Sequence, residues 1–186
     1  VLMSPSFSQV RPRELADWVR VQKQTGIGAM VTSVRRSLDQ HTTALLRETA
    51  TSAGINARHR FFDRHYEVAG YFAGSSITGS ETAIALAQRN GVHRYQRPDD
   101  DLAYDPELTR LNGDARRVAF SKVGGGSTRF STVYHRFSPG FEINDLGFQS
   151  RADEQVLTNW FGLQFNRPTR AFRRANVNLN HWSHWT

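Results

Sequence analysis

Hydrophobic and polar residues alternate with a period of two along most of the chain. In the last stretch, Asn176, Asn178 and Asn180 share one parity, and Val177 and Leu179 share the other. Because successive side chains of a β-strand point to opposite faces, this pattern predicts strands with one apolar and one polar side. Eight segments carry the pattern: 17–24, 27–37, 52–62, 66–78, 110–123, 128–138, 154–166 and 170–185.

Two of these segments fit the alternation less well. In the fifth, Val118 and Phe120 share their parity with Arg116 and Lys122. In 27–37, apolar residues likewise share their parity with polar ones. We still predict a strand in both places, because each segment lies between turn signals.

The connections between the segments alternate in length. Four are short and rich in turn-forming residues, around 25–26, 63–65, 124–127 and 167–169. Three are long, at 38–51, 79–109 and 139–153. In an up-and-down antiparallel sheet, this order puts the short turns on one rim and the long loops on the other. Outer-membrane β-barrels sort their loops in this way.

Strand length and aromatic positions favour the same class. Most segments span about 10 to 14 residues, whereas strands of soluble proteins centre on about 5 to 6 and tilted membrane strands need about 9–11. Aromatic pairs lie near the predicted strand ends: Phe61 with Phe62, Tyr71 with Phe72, Tyr134 with Phe137, Trp160 with Phe161, and Trp182 with Trp185. Such rings favour a water–lipid boundary, although aromatic residues are also common in strands generally.

One long loop contains a predicted helix. Residues 81–89 follow Ser80, a residue type that caps helix N-termini, and precede the stop signal Asn90-Gly91. A loop of the length of 79–109 commonly carries a function or is disordered.

Composition narrows the class further. The 186 residues carry a formal net charge of +7 and no cysteine, which excludes disulfides, thiolate metal sites and cysteine nucleophiles. No apolar run reaches the roughly 18 residues of a membrane helix, whereas alternating barrel strands keep mean hydropathy low. No signal peptide is visible, and both ends look cut. We therefore expect a piece of a longer protein, with a lead-in at 1–16 and a β-barrel domain at 17–186.

Four stretches resemble a known family in order and spacing. They are Ser138-Pro139-Gly140-Phe141-Glu142-Ile143-Asn144-Asp145-Leu146-Gly147-Phe148, Tyr95-Gln96-Arg97-Pro98-Asp99, Ser121-Lys122-Val123-Gly124-Gly125-Gly126, and Asn178-Leu179-Asn180-His181-Trp182-Ser183. From about residue 15 onward the chain resembles the bacterial family known as domain of unknown function 5916. That resemblance implies an outer-membrane β-barrel that commonly follows a module similar to family-9 carbohydrate-binding domains. The family domain is longer than this chain and has no established catalytic residues, so none is carried over.

Catalytic and metal-binding signals in the sequence are weak. His181 and His184 would point to opposite faces of a strand, which disfavours a shared metal. The carboxylates of 99–101 and Asp105 match no calcium loop, so we interpret them as a solvated turn. The glycine run 124–126 lacks the lysine and helix of a phosphate-binding loop.

A hydrolase remains a formal alternative. Ser138, His135 and Asp145 lie close in sequence, yet the glycine pattern of a nucleophile elbow is missing around Ser138. An RNA- or DNA-binding role is disfavoured because the strand arginines are scattered and no aromatic platform motif accompanies them.

The sequence therefore predicts an all-β, up-and-down antiparallel partial barrel of about eight strands, embedded in a bacterial outer membrane. Polar residues would line the lumen and bias it towards anions: Arg58, Arg60, Gln164, Asn176, Asn178 and Asn180. Apolar residues would face lipid: Leu157, Leu163, Val177 and Leu179.

A loop motif would fold inward and constrict that lumen: Pro139, Gly140, Phe141, Asn144, Asp145, Leu146, Gly147 and Phe148. The expected partners are the lipid bilayer and a glycan or small anionic solute, with no cofactor, metal or nucleic acid. The alternatives are a soluble antiparallel binding module and a secreted hydrolase with its site in the long loops.

Overall fold

A computed structural model describes residues 13–14, 20–21, 24–97, 102–168 and 170–186. Two short strands, β1 (Arg13–Glu14) and β2 (Arg20–Val21), precede seven long strands and one helix. The long elements are β3 (Thr25–Arg35), β4 (Thr49–Phe61), β5 (Tyr66–Thr78), α1 (Glu81–Arg89), β6 (Arg110–Lys122), β7 (Thr128–Phe137), β8 (Glu154–Phe165) and β9 (Ala175–Trp185). In the described ranges, no helix is long and apolar enough to cross a membrane.

The long strands form one antiparallel up-and-down sheet. Each pairs with its neighbours in sequence, from β3 through β9, while β1 and β2 both pair with β3. The all-β, up-and-down prediction and the helix over 81–89 are therefore confirmed. Within the described residues the sheet is open, because β9 pairs only with β8. Of the predicted strand 17–24, most residues lie outside the described ones.

Three predicted boundaries were wrong. Thr25 and Gly26 do not form a turn but pair with His59 and Arg58. β4 begins at Thr49, because the chain continues in register with β5 through a fully buried Ala50. The last connection spans 166–174 and is not a tight turn at 167–169, because β8 ends at Phe165 and β9 begins only at Ala175.

The sorting of loops by length is confirmed for the three long loops and for two of the four predicted tight turns. Loops 36–48, 79–109 and 138–153 lie at one edge, called here the loop rim. Turns 62–65 and 123–127 and the connection 166–174 lie at the opposite edge, the turn rim. The two shorter turns use left-handed backbone, with Gly125 and Gly126 at φ 69° and 65°, a conformation that glycine adopts without steric cost.

The strand register defines two faces with different chemistry. One row crosses the sheet through Gly28, Asn56, Tyr71, Arg117 and His135; we call this side the polar face. The neighbouring row runs through the opposite side, the apolar face, and includes Ile27, Ala57, Gly70, Val118, Tyr134 and Leu157. Many apolar-face side chains are solvent-exposed, Ile55 by 62% and Leu179 by 68%.

The buried core lies at the loop rim, on the polar face. Val34, Ala50, Ile77 and Leu111 are cross-strand neighbours there and pack against Ile84 of α1. Ser80 caps the helix, its hydroxyl accepting a hydrogen bond from the Ala83 amide. The helix therefore covers one end of the polar face and leaves the remainder open.

Candidate functional site

The loop that follows β7 folds onto the polar face beside α1. Phe141 is buried and stacks on Phe137, with ring centroids 5.7 Å apart. The Glu142 amide donates to the Ser75 hydroxyl on β5 over 2.9 Å. The loop crosses β6 at Gly113, where a side chain would overlap the backbone nitrogen of Phe141. Together with α1, residues 138–149 form a lid over one end of the polar face, called here the cap.

A buried ion pair joins the cap to the helical loop. The Nε2 atom of His93 lies 2.9 Å from Oε2 of Glu142, and the two side chains are only 0% and 1% exposed. The other ring nitrogen, Nδ1, lies 2.7 Å from the carbonyl oxygen of Pro139. The side chain of Asn90 accepts from the amides of Val92 and His93 and so orients the histidine backbone.

The charges of this pair follow from its hydrogen bonds. Burial raises the pKa of the Glu142 carboxyl, but hydrogen bonds from His93 and the Asn144 amide, with the positive charges of His93 and Arg47, outweigh it. The pKa consequently lies below its ordinary value. With Glu142 ionised, the Glu142 carboxylate and the Pro139 carbonyl are both acceptors, so each ring nitrogen of His93 faces an acceptor.

Asp145 ties the cap to the remaining long loop. Its carboxylate oxygens lie 2.8 Å from Arg36 Nη1 and 2.7 Å from Arg47 Nε, with a side-chain exposure of 6%. The loop after β7 is also joined to the helical loop by Arg97 and Asp153, 2.6 Å apart. The three long loops are thus cross-linked by charge, as a rigid lid requires.

Most other residues of the predicted loop motif pack or form hydrogen bonds within the cap. Leu146 packs against the buried core. The side-chain oxygen of Asn144 accepts from the Gln149 amide, and the Gln149 side chain donates back to the Phe141 carbonyl. Gly147 continues the turn, with its amide bonded to the Ile143 carbonyl. Phe148 is the exception, because it is 85% exposed.

The six predicted lumen residues lie on one side of the sheet. Arg58 and Arg60 follow Asn56 on the polar face of β4, and Gln164 pairs with Asn176 on the same face. Asn178 and Asn180 continue that face along β9. The predicted lipid-facing set Leu157, Leu163, Val177 and Leu179 shares the apolar face. Arg60 is neutralised by Glu67, at 2.6 Å.

The structure does not bring together the hydrolase candidates. Ser138 accepts from the Asp114 amide, whereas Asp145 is held by the two arginines. His135 instead contacts Glu154, 3.3 Å away. His181 and His184 point to opposite faces of β9. The run 99–101 lies outside the described residues, and the part of the chain that is described holds no group of three metal-ligating side chains.

Sequence reasoning missed the residues that hold the cap in place. His93 and Arg47 carry no local signal, because their partners lie 49 and 98 residues away. Glu142 lies within the stretch 138–148 that resembles the family, but nothing in its sequence position predicts its role. Strand parity does not mark Arg117 either, because it shares its parity with Ala115 and Ala119, and only the pairing of β5 with β6 places it beside Tyr71.

No family model, curated protein or solved structure matches the chain.

Proposed function

We propose that this chain forms part of an outer-membrane β-barrel of the type suggested by its resemblance to domain of unknown function 5916. The apolar face contacts hydrocarbon and the polar face lines a passage for solute. The sheet pairs the inner strands β4 to β8 on both sides, and the remaining strands of the barrel would pair the open edges, because lipid demands that every backbone polar group has a partner.

The proposal rests on the diagonal course of the exposed apolar residues. On β3 they are Ile27, Ala29 and Val31, centred on Ala29. Following the register from Ala29 across six strand pairings leads to Trp185 on β9, whereas the exposed aliphatic residues of that strand are Leu179 and Val177, six and eight residues away. With about 3.4 Å per residue and about 4.8 Å between strands, the aliphatic band is inclined by about 35–43° to the perpendicular of the strands.

That inclination fits a membrane. Strands of outer-membrane barrels tilt by about 35–45° from the membrane normal. The hydrocarbon layer, which is parallel to the membrane plane, is therefore inclined by the same angle to the perpendicular of the strands. A soluble barrel has the same tilt but places its apolar residues inside. Here the inclined band is on the face opposite the buried core and the cap, so its members are exposed.

The boundaries of the band have the expected chemistry. At the turn rim, rings cluster on the apolar face: Phe61 with Tyr66 at 5.8 Å, and Phe120 with Phe130 at 5.3 Å. Towards the loop rim the same face becomes hydroxylated, and Ser33 bonds Thr51 over 2.9 Å. An aromatic cluster is typical of the boundary of a hydrocarbon layer, and the hydroxyl groups mark the opposite end of the apolar band.

In this proposal the cap narrows the passage. It covers the polar face at the loop rim, the outer side of such barrels, and its ion pairs fix it there. We infer that solute enters around the cap. The link to carbohydrate use comes solely from the module that commonly precedes the resembling domain, so a glycan remains a second candidate solute.

The test inserts an arginine into the band and outside it. Ile55→Arg lies within the band, and Ser76→Arg lies on the same face nearer the loop rim. Both chains are folded into dilauroyl phosphatidylcholine vesicles and unfolded with urea. We expect Ile55→Arg to lose about 2–4 kcal/mol, as charges at a bilayer midplane do, and Ser76→Arg to lose less than about 1 kcal/mol.

The soluble alternative predicts the opposite outcome. Ile55 is 62% exposed, so in water its replacement by arginine would leave stability unchanged within about 0.5 kcal/mol. A chain that stays out of vesicles, runs at the same position on gels with and without heating, and tolerates both variants would refute the membrane proposal in favour of a soluble binding module.

A further inference from the structure

Four polar side chains meet on the polar face below the cap. Asn56, Tyr71 and Arg117 are successive neighbours in one cross-strand row, and Arg58 stands two residues beyond Asn56 along β4. Directly opposed residues place their Cβ atoms about 4.5–5.5 Å apart. Arg117 lies four residues from Gly113, where the cap crosses β6, which places the row about 13 Å along the strand from the cap.

The two arginines of this group lack acidic partners. Arg60 pairs with Glu67, and Arg116 pairs with Asp114 at 2.7 Å. By contrast, within the described part of the chain neither Arg58 nor Arg117 forms an ion pair or a side-chain hydrogen bond, and the Tyr71 hydroxyl and the Asn56 amide are equally uncommitted. Two guanidinium groups that line one hollow without an ion-pair partner raise its positive potential and so favour an anion between them.

Small residues leave space beside this group. The hollow there measures about 500 Å³ and is lined by all four polar side chains, by Gly26 and Gly28, and by Ala69. A Cβ atom at Gly28 would stand 3.0 Å from the Asn56 amide, and one at Gly26 would stand 3.2 Å from Nε of Arg58. Larger residues on β3 would thus push both side chains away, and the hollow has the size of a small-molecule site.

We propose that this group binds a small organic oxyanion, a carboxylate or a phosphate ester, inside the passage. The guanidinium groups of Arg58 and Arg117 offer paired N–H donors whose geometry matches a planar carboxylate or a phosphate. The Tyr71 hydroxyl and the Asn56 amide donate to the remaining oxygens, and the tyrosine ring supports the apolar part of the solute. This site rests on the proposed function, which encloses the polar face, and adds to it the chemical class of the solute.

Binding is measured on the 186-residue chain folded in detergent micelles, by calorimetric titration with citrate and with glycerol 3-phosphate at constant ionic strength. We expect saturable binding of at least one anion. Arg117→Gln and Arg58→Gln should each weaken it about tenfold or more, since charge-assisted hydrogen bonds contribute about 1.5–3 kcal/mol each. The stronger ligand of the two identifies the preferred oxyanion.

Arg116→Gln is the matched control, because Arg116 is adjacent to Arg117 in sequence but lies on the apolar face. It removes the same charge and should leave both affinities within about twofold. Tyr71→Phe, which preserves the ring, should cost a smaller factor of about three to ten by loss of one hydroxyl donor.

Three results would overturn the site: absence of saturable binding up to 10 mM of either anion (about −2.7 kcal/mol), equal losses in Arg116→Gln and Arg117→Gln, or full affinity in both Arg58→Gln and Arg117→Gln. The vesicle experiment separates this proposal from the membrane proposal. A chain that inserts but binds neither anion refutes the site alone, and a chain that binds in micelles but never inserts refutes the membrane proposal.

Discussion

Replacing His93 by alanine tests whether the buried ion pair holds the cap on the sheet. The Glu142 carboxylate is 1% exposed and receives 2.9 Å and 2.6 Å hydrogen bonds from His93 and the Asn144 amide. His93→Ala removes the counter-charge and leaves that carboxylate buried. Breaking one side of a buried pair costs about 3–5 kcal/mol, which is about a fifth or more of the stability of a typical domain.

Glu142→Gln is the matched, milder change. The amide oxygen of the new side chain still accepts from Asn144, and its NH₂ group can donate to Nε2 of a neutral His93, whose Nδ1 still donates to the Pro139 carbonyl. All polar groups keep a partner, so we expect a loss of about 1–2 kcal/mol. Comparing the stability loss of Glu142→Gln with that of His93→Ala thus separates the effect of losing the charge from the effect of losing the hydrogen bonds.

Amide hydrogen exchange at Glu142 and Asn144 measures the effect locally, because the Glu142 amide donates to Ser75 on the sheet and the Asn144 amide donates to the Glu142 carboxylate. We expect exchange about 10²–10³ times faster in His93→Ala and about tenfold faster in Glu142→Gln. Unchanged exchange in His93→Ala would refute the assignment of the pair as the anchor of the cap. Equal acceleration in both variants would show that charge contributes nothing.

The pH dependence has a defined sign. The pKa of Glu142 is lower in the folded chain than its ordinary value, so its contribution to stability is fully present above the pKa of the unfolded state and is lost as the pH falls through the folded value. The cap of the wild-type chain should therefore loosen in acid. This acid limb should be absent in Glu142→Gln, after correction for intrinsic exchange rates.

Three further changes test the parts around the pair. Gly113→Val should displace the loop from β6 at a cost of about 1–3 kcal/mol, seen as loss of protection at Phe141, whereas protection equal to the wild type would show that the loop does not cross there. Ser80→Ala removes the helix cap and a 2.7 Å hydrogen bond to the Thr43 carbonyl, so thermal unfolding should show a loss of about 1–2 kcal/mol. Asp145→Asn should free the arginines that it pairs and speed proteolysis within 36–48; an unchanged cleavage rate would contradict the cross-linking of the loops.

Strands and helix could be predicted because their signals are local. On β9 the alternation of polar and apolar residues places Asn178 and Leu179 on opposite faces, and Ser80 is a helix-capping residue immediately before α1. The poor parity of β6 has its cause on the neighbouring strand β5. Arg116 lies over the Phe72 ring at 5.6 Å, and Lys122 over the Tyr66 ring at 6.0 Å, so charged groups flank the apolar stretch on the same face.

The cap could not be predicted because its bonds are not local. Nothing near His93 marks it as the partner of Glu142, and Asp145 gives no indication that two arginines on another loop hold it. Likewise, Ala50 looks like a loop residue beside Thr49, and only its pairing with Ile77 and its burial under the helix make it part of β4. Predictions from a single sequence fail where side chains from distant segments decide the conformation.

The meander topology has a consequence for the order of folding. Every long strand pairs with its neighbour in sequence, so the sheet contacts span shorter separations than the contacts that fix the cap, which favours early formation of the sheet. The bond between Arg47 and Asp145 instead spans 98 residues and depends on four intervening strands. We therefore expect the cap to fold last, after the hairpins of the sheet have formed one after another, and to unfold first.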